Sequence, residues 1–255
     1  MDDKQIEQQR YNKSSASLLD IIEKDKKLLH VLGADNFPPH LRPPYLYYHE
    51  LINSKTSASK KQLDLCCGNG MHSFTGAKNG ASVIALDYAE QSIVICNERK
   101  VILKLNVDFR TADVQTLSFE DNTFDIVTCA GSLSYLNNDI FLYEVYRVLK
   151  KEGVFICVDS FNHNPFYRLN RYIHYLRGER SYSTLVRMPN KRSIQLFKTI
   201  FSKVDVNYFG TFSFLAPVLN FFVSPEKLMS IIQKMDDLFP FLEIYAFKVV
   251  IKAEK

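Results

Sequence analysis

Two glycines, Gly68 and Gly70, and three aspartates, Asp64, Asp87 and Asp113, are the residues whose types and spacing carry chemistry in this chain. The stretch "LDLCCGNG" at 63–70 ends an apolar run in a glycine turn, and glycine lets a backbone turn tightly and come close to a ligand. An acid about 20 residues beyond such a turn is the usual partner of ribose hydroxyls, and Asp87 holds that place. An adenosine-containing ligand is therefore expected. A dinucleotide would need its pyrophosphate on the helix N-terminus and a third glycine; Gly68-Asn69-Gly70-Met71-His72-Ser73 has serine there. Three carboxylates at one pocket repel a pyrophosphate and suit a cation. S-adenosylmethionine carries a sulfonium, an ammonium and no phosphate, and it is the cofactor these residues predict.

Such residues need a repeating frame to hold them. "KQLDLCC", "ASVIALD", "VDFRTAD", "FDIVTCA" and "VFICVDS" read as strands. Helical stretches lie between them, among them "AEQSIVICNERKVILKL" and "NDIFLYEVYRVLKKEG", the latter closed by Gly153 just past its end. This alternation predicts a parallel sheet covered on both faces, with ligands at the carboxyl ends of the strands where their order reverses. The first 40 residues read as helical, ended by Gly33 and Pro38-Pro39, and "YLYYHELI" as a second short helix. Beyond Ser160 the regularity lapses until Arg192. A helix "RSIQLFKTIF", a strand "KVDVNYFGTF", a helix opened by Ser224 as cap and Pro225, and a closing strand "YAFKVVIKAE" follow. One domain over 1–255 is expected: an N-terminal helical cap (1–58), a cofactor-binding core (59–160), a basic insertion (161–192) and closing strands with a helical insertion (193–255).

Composition bounds the function classes. The 255 residues are 46% apolar and 24% charged, as in ordinary globular proteins, and a net charge of +4 does not argue for nucleic acid. The charge is uneven, since Phe161–Arg192 holds seven Lys or Arg residues against the single acid Glu179. The five cysteines are odd in number and form no CxxC pair, so neither a disulfide framework nor a bound metal is expected. A polar N-terminus without a secretory signal, and no apolar run of ~18 residues, predict a soluble, cytoplasmic protein.

In order and spacing these motifs resemble those of the class I S-adenosylmethionine-dependent methyltransferases. Asp64, Gly68 and Gly70 match the first motif, with Cys66 in place of its first glycine. "VIALD" resembles the second motif, "TADVQTLSFEDNTFDIV" the third and fourth, and "YEVYRVLKKEGVF" the helix-turn-strand that follows. The resemblance covers residues 40–160 strongly and the last two strands loosely. It implies a Rossmann-like, doubly wound α/β sheet of seven strands in the order 3-2-1-4-5-7-6, the last antiparallel. It also implies that Gly68, Asn69 and Gly70 pass under the methionine part of the cofactor, with Asp64 orienting nearby. Asp87, with Tyr88 beside it, would take the ribose, and Asp113 or the Val114 backbone the adenine amino group. Cys129, Ala130 and Gly131 would line the pocket beside the sulfonium. Cys66 would be tolerated as a small residue, at some cost in cofactor affinity.

The expected reaction is methyl transfer to a hydroxyl of a small acceptor, of anionic or glycan type. His163, after the fifth strand, is a candidate base because a near-neutral imidazole suits removing a hydroxyl proton; Tyr135 is a second candidate. The basic insertion reads as a substrate cap in which Arg168 and Arg171 clamp phosphate or carboxylate, facing Tyr11 and the aromatic "YLYYHE". Phe166, Leu169, Ile173 and Leu176 would form one helical face of it. Resting on an anionic membrane leaflet, or holding an RNA backbone, are other uses of the same charge. "NPF" at 164–166 follows the fifth strand and not the fourth, where a base-methylating signature would stand, which argues against nucleic acid. An RNA or protein methyltransferase, or a cofactor-binding partner protein without activity of its own, are the rival readings.

Overall fold

The computed structural model describes residues 3–255. The chain enters as α1 (Asp3–Lys24), passes through short 3-10 turns, and continues as α2 (Pro43–Lys55). The alternating part is β1 (Lys61–Leu65), α3 (Phe74–Lys78), β2 (Ser82–Asp87), α4 (Glu90–Leu103), β3 (Val107–Thr111), β4 (Phe124–Ala130), α5 (Asn138–Val148) and β5 (Leu149–Ser160). Three helices follow, α6 (Pro165–Leu176), α7 (Tyr182–Val186) and α8 (Lys191–Ile200), and then β6 (Lys203–Phe209). The chain closes with α9 (Ala216–Leu219), α10 (Pro225–Leu238) and β7 (Lys248–Glu254). Among the described residues no helix is long and apolar enough to cross a membrane.

The strands form one sheet in the order β3-β2-β1-β4-β5-β7-β6, with β7 antiparallel to both its neighbours. This is the Rossmann-like α/β sheet that the motif order implies. Side chains alternate across it as a period of two requires. Val127, Phe155, Cys157 and Ile251 face one layer with α5 and α8, whereas Ile126, Ile156, Val158 and Val250 face Tyr48 and Ile52 of α2. Both faces are covered, which is why these strands are apolar throughout. Strand order reverses between β1 and β4, and their carboxyl ends open the crevice where ligands bind in such sheets.

Three local expectations differ from what is observed. The helix read over 138–153 stops at Val148, and Leu149 already pairs with Phe124 as the start of β5. Glu152 takes a left-handed φ of 64°, and a Cβ at Gly153 would meet the Lys150 carbonyl at 2.8 Å. Gly153 thus serves a close backbone approach within an irregular strand, not a helix end. The N-terminal helix ends at Lys24, where Asp25 accepts the Lys27 N–H at 3.1 Å and starts a 3-10 turn. The stretch after Ser160 is also more ordered than expected. Asn164 caps α6 by accepting the N–H groups of Phe166 and Tyr167, each at 3.1 Å, so "NPF" is a helix start. Ser224 caps α10, with Pro225 at its first position, as read from the sequence.

Candidate cofactor and acceptor sites

β1 delivers Asp64 to the crevice with only 2% of its surface exposed. Its carboxylate accepts the Ser73 hydroxyl at 2.6 Å and the Thr128 hydroxyl at 2.8 Å. Burial raises its pKa to about 6 in spite of those bonds. Cys66 follows with φ 54°, a left-handed conformation that L-residues adopt at a cost and glycine does not. Gly68 and Gly131 are also left-handed, at 54° and 71°, and a Cβ on either would meet nothing within 4 Å. Asp87, at the end of β2, accepts the Gly68 N–H at 2.7 Å and the Ala89 N–H at 2.8 Å, and burial raises its pKa.

These groups line a cavity of about 370 Å³. Asp113 and Val114 after β3, and Ala130 and Gly131 at the end of β4, complete its floor. Its roof is α1, through Gln8, Tyr11, Ser15 and Leu18, held down on α4 by the Ser15–Ser92 hydroxyl contact of 2.9 Å. Ser183, Thr184 and Arg187 of the basic insertion close one end. The volume lies in the usual range of small-molecule sites, roughly 300–1,000 Å³. The lining fits a cationic adenosine ligand: the carboxylates of Asp64, Asp87 and Asp113 beside Glu7, which pairs with Arg10, two open glycine backbones, and an Asn69 side-chain oxygen that is buried with no partner among the described residues.

A second cavity of about 680 Å³ adjoins the first, and Phe37 and Tyr45 line both. Their rings stack at 3.9 Å, so one aromatic pair is shared by the two cavities. The second cavity holds Arg10, Arg171, Arg180 and Lys248. Burial works against the charges on Lys248 and Arg171, but Tyr45 and Asp159 near the lysine, and Tyr167 near the arginine, outweigh it and raise both pKa values. Arg171 Nε donates to the Tyr167 hydroxyl at 2.7 Å, while its Nη1 is buried without a partner among the described residues. His174 pairs with Glu179 at 2.5 Å, which engages the acid among the lining residues.

Tyr135 stands where the cavities meet. It lines the first, and its hydroxyl accepts from Arg10 Nη2 at 3.2 Å and from Arg180 Nη1, both arginines of the second. Burial pushes this phenol up, but Arg180, Tyr11 and Arg10 outweigh it and the net shift is downward. Tyr11 meets Tyr135 edge-on with ring centroids 5.6 Å apart, and its own pKa is pushed up by burial.

Of the residues singled out in the sequence, Asp64, Cys66, Gly68, Asn69, Asp87, Tyr88, Asp113, Val114, Ala130, Gly131, Tyr11 and Tyr135 come together on the first cavity, and Arg171 on the second. Gly70 and Cys129 lie one layer behind. A Cβ at Gly70 would meet Cys96 Sγ at 3.0 Å, and Cys129 is a buried thiol packed in the core. The exposed Arg168 lines neither cavity. His163 is not brought to either cavity: its Nε2 accepts the Lys191 N–H at 3.2 Å at the start of α8. Lys248 and His72 escaped sequence reading, because one sits in a strand that reads as plain sheet and the other behind the glycine turn. His72 Nδ1 lies 2.8 Å from His49 Nε2, and burial, as the first cause, lowers the two pKa values to about 3 and about 4.

Residues 63–157 match the family described as "Methyltransferase domain". The chain is 31% identical over 109 residues to a ubiquinone biosynthesis O-methyltransferase of Azotobacter vinelandii, covering 42% of this chain and 47% of that one. It is 33% identical over 126 residues to a demethylmenaquinone methyltransferase of Lactococcus lactis, covering 44% and 49%. The chain thus spans about half the length of the curated relatives it matches. Among solved structures, a geranyl diphosphate methyltransferase in complex with GPP and sinefungin shares the fold, with a TM-score of 0.60 at 15% identity over 82% of this chain and 77% of that one.

Proposed function

We propose that the chain acts as a class I S-adenosylmethionine-dependent methyltransferase, a reading supported by the methyltransferase-domain match over residues 63–157, and that it methylates a hydroxyl of a small acceptor carrying an anionic group. The observation that carries the acceptor class is the second cavity: four cations, one of them with a buried unpartnered N–H group among the described residues, in a cavity that shares Phe37 and Tyr45 with the cofactor cavity. Arginine forks suit phosphate and carboxylate, and Phe37, Tyr45, Tyr167 and Phe247 offer flat faces for a ring or a sugar. The relatives named for ubiquinone and demethylmenaquinone are consistent with a ring-bearing acceptor.

Bound S-adenosylmethionine would supply an electrophilic methyl group. The chain's own part is to orient, to exclude water and to handle one proton. Asp87 and Asp113 are suited to the ribose and adenine, and Asp64 to a cationic group. Arg171 and Lys248 would hold the acceptor's anion and so fix its hydroxyl, and such positioning can supply most of the rate. Tyr135, with its lowered pKa, is the group placed to take the hydroxyl proton.

Titration with S-adenosylmethionine tests the cofactor. Binding should be lost in Asp87→Ala, and a parent that binds only NAD would sink the reading. A methyl-transfer assay over hydroxylated carboxylates and phosphates tests the acceptor. Arg171→Gln should raise the acceptor KM and leave cofactor affinity alone; an equal loss of both would contradict the division between the cavities.

A further inference from the structure

We propose that α6 and the segment 211–223 together form a face that docks onto an anionic phospholipid bilayer. The helix α6 buries none of its residues, yet it is strongly two-sided. Tyr167, Asn170, Arg171 and His174 line the second cavity, while Phe166, Leu169, Ile173 and Leu176 are exposed to solvent. The helix is thus the wall between the cationic cavity and the outside. A neighbouring element extends the apolar side: Phe166 stacks on Phe214 at 4.4 Å, and the Asn164 amide donates to the Thr211 carbonyl at 3.3 Å. Beyond Phe214 the chain presents Phe221 and Phe222, which are 86% and 79% exposed. Contiguous apolar patches of this kind are uncommon on monomeric proteins unless something covers them.

Charge selects the occupant. Residues 211–223 contain no charged side chain, and residues 164–180 contain Arg168, Arg171, Arg177 and Arg180 against the single acid Glu179, which pairs with His174. Arg171 turns inward, so Arg168 and Arg177 remain exposed beside the apolar face. Aromatic side chains flanked by arginines match a helix lying in a membrane interface, with cations at the level of the lipid phosphates. A second copy of the chain fits less well, because an isologous contact would bring this net positive face toward itself.

The test is co-sedimentation of the full chain with vesicles of phosphatidylcholine alone or mixed with phosphatidylglycerol. The expected result is binding to the mixed vesicles that weakens with salt. Phe221→Ser/Phe222→Ser should lower the partition coefficient about tenfold or more with Tm unchanged, since burial of apolar side chains carries interfacial binding. Arg168→Gln/Arg177→Gln should remove the preference for phosphatidylglycerol. No vesicle binding, or binding indifferent to the phenylalanine pair, would overturn the proposal. A dimer by sedimentation velocity that dissolves in the phenylalanine variant would overturn it in favour of a second copy. The readout needs neither cofactor nor acceptor, so its failure leaves the reading of the two cavities standing.

Discussion

Arg10 donates to the Tyr135 hydroxyl across 3.2 Å, so the first helix of the chain holds the phenol that stands where the two cavities meet. The same guanidinium is paired with Glu7 at 2.6 Å, one turn back on α1. The N-terminal helix is thereby part of the site, although the matched family segment begins only at residue 63.

Removing that phenol separates positioning from proton transfer. Tyr135→Phe should lower kcat by roughly 10²–10⁴ while the cofactor Kd stays the same. The Tyr135 pKa is lowered chiefly by Arg180 once burial is overcome, and the proton acceptor is the deprotonated form. Activity should therefore rise with pH toward that pKa, and Arg180→Gln should move the rise to higher pH. A Tyr135→Phe enzyme with an unchanged pH–rate profile would remove the proton-transfer role.

Cofactor affinity should depend on pH through Asp64, whose pKa burial raises to about 6. Its carboxylate attracts a cationic ligand only when ionised, so affinity for S-adenosylmethionine should fall as pH drops through about 6. Asp64→Asn should bind more weakly at neutral pH and show a flatter dependence. Calorimetric titration across that range checks both.

Cys66 occupies a left-handed position at φ 54° where the family motif has glycine. The backbone cost for an L-residue there is roughly 1–2 kcal/mol, offset in a glycine variant by greater freedom of the unfolded chain. Cys66→Gly should therefore keep stability within about 1 kcal/mol of the parent and bind cofactor as well or better. Cys66→Val, branched at Cβ, should lose roughly 1–3 kcal/mol in denaturant titration.

The His49–His72 pair makes an acid-labile point in the fold. Their folded pKa values, about 4 and about 3, lie below the ordinary value of 6.5, so below that pH the unfolded state binds more protons. Stability is present above 6.5 and lost as pH falls toward the folded values. A His49→Gln/His72→Asn variant should lose less over this window, by on the order of 5 kcal/mol near pH 4.5. Parallel acid-unfolding curves would exclude that role for the pair.

The alternation of apolar runs with helical segments was enough to indicate a parallel sheet covered on both faces, because strands buried on both faces must be apolar throughout and their crossovers have one hand; the strand order and the antiparallel last strand came from the family resemblance. Asp64, Gly68, Asp87 and Asp113 were legible for the same local reason: each lies at or just past a strand's carboxyl end, and the turn chemistry is written within a few residues. The reach of α5 was misread, since Gly153 signals a helix end in isolation and only the approach of the Lys150 and Asp125 carbonyls shows its use. Of the second cavity, Arg171 and the aromatic stretch at Tyr45 were legible as parts of an acceptor cap, whereas Arg10, Arg180 and Lys248 were not. Arg10, Tyr45, Arg171 and Lys248 come from α1, α2, α6 and β7, and nothing local relates them. His163 was singled out for following β5, yet its ring turns to the start of α8. Spacing along a chain decides which backbone ends meet at a sheet edge; which long side chains converge there is decided by the packing of helices distant in sequence.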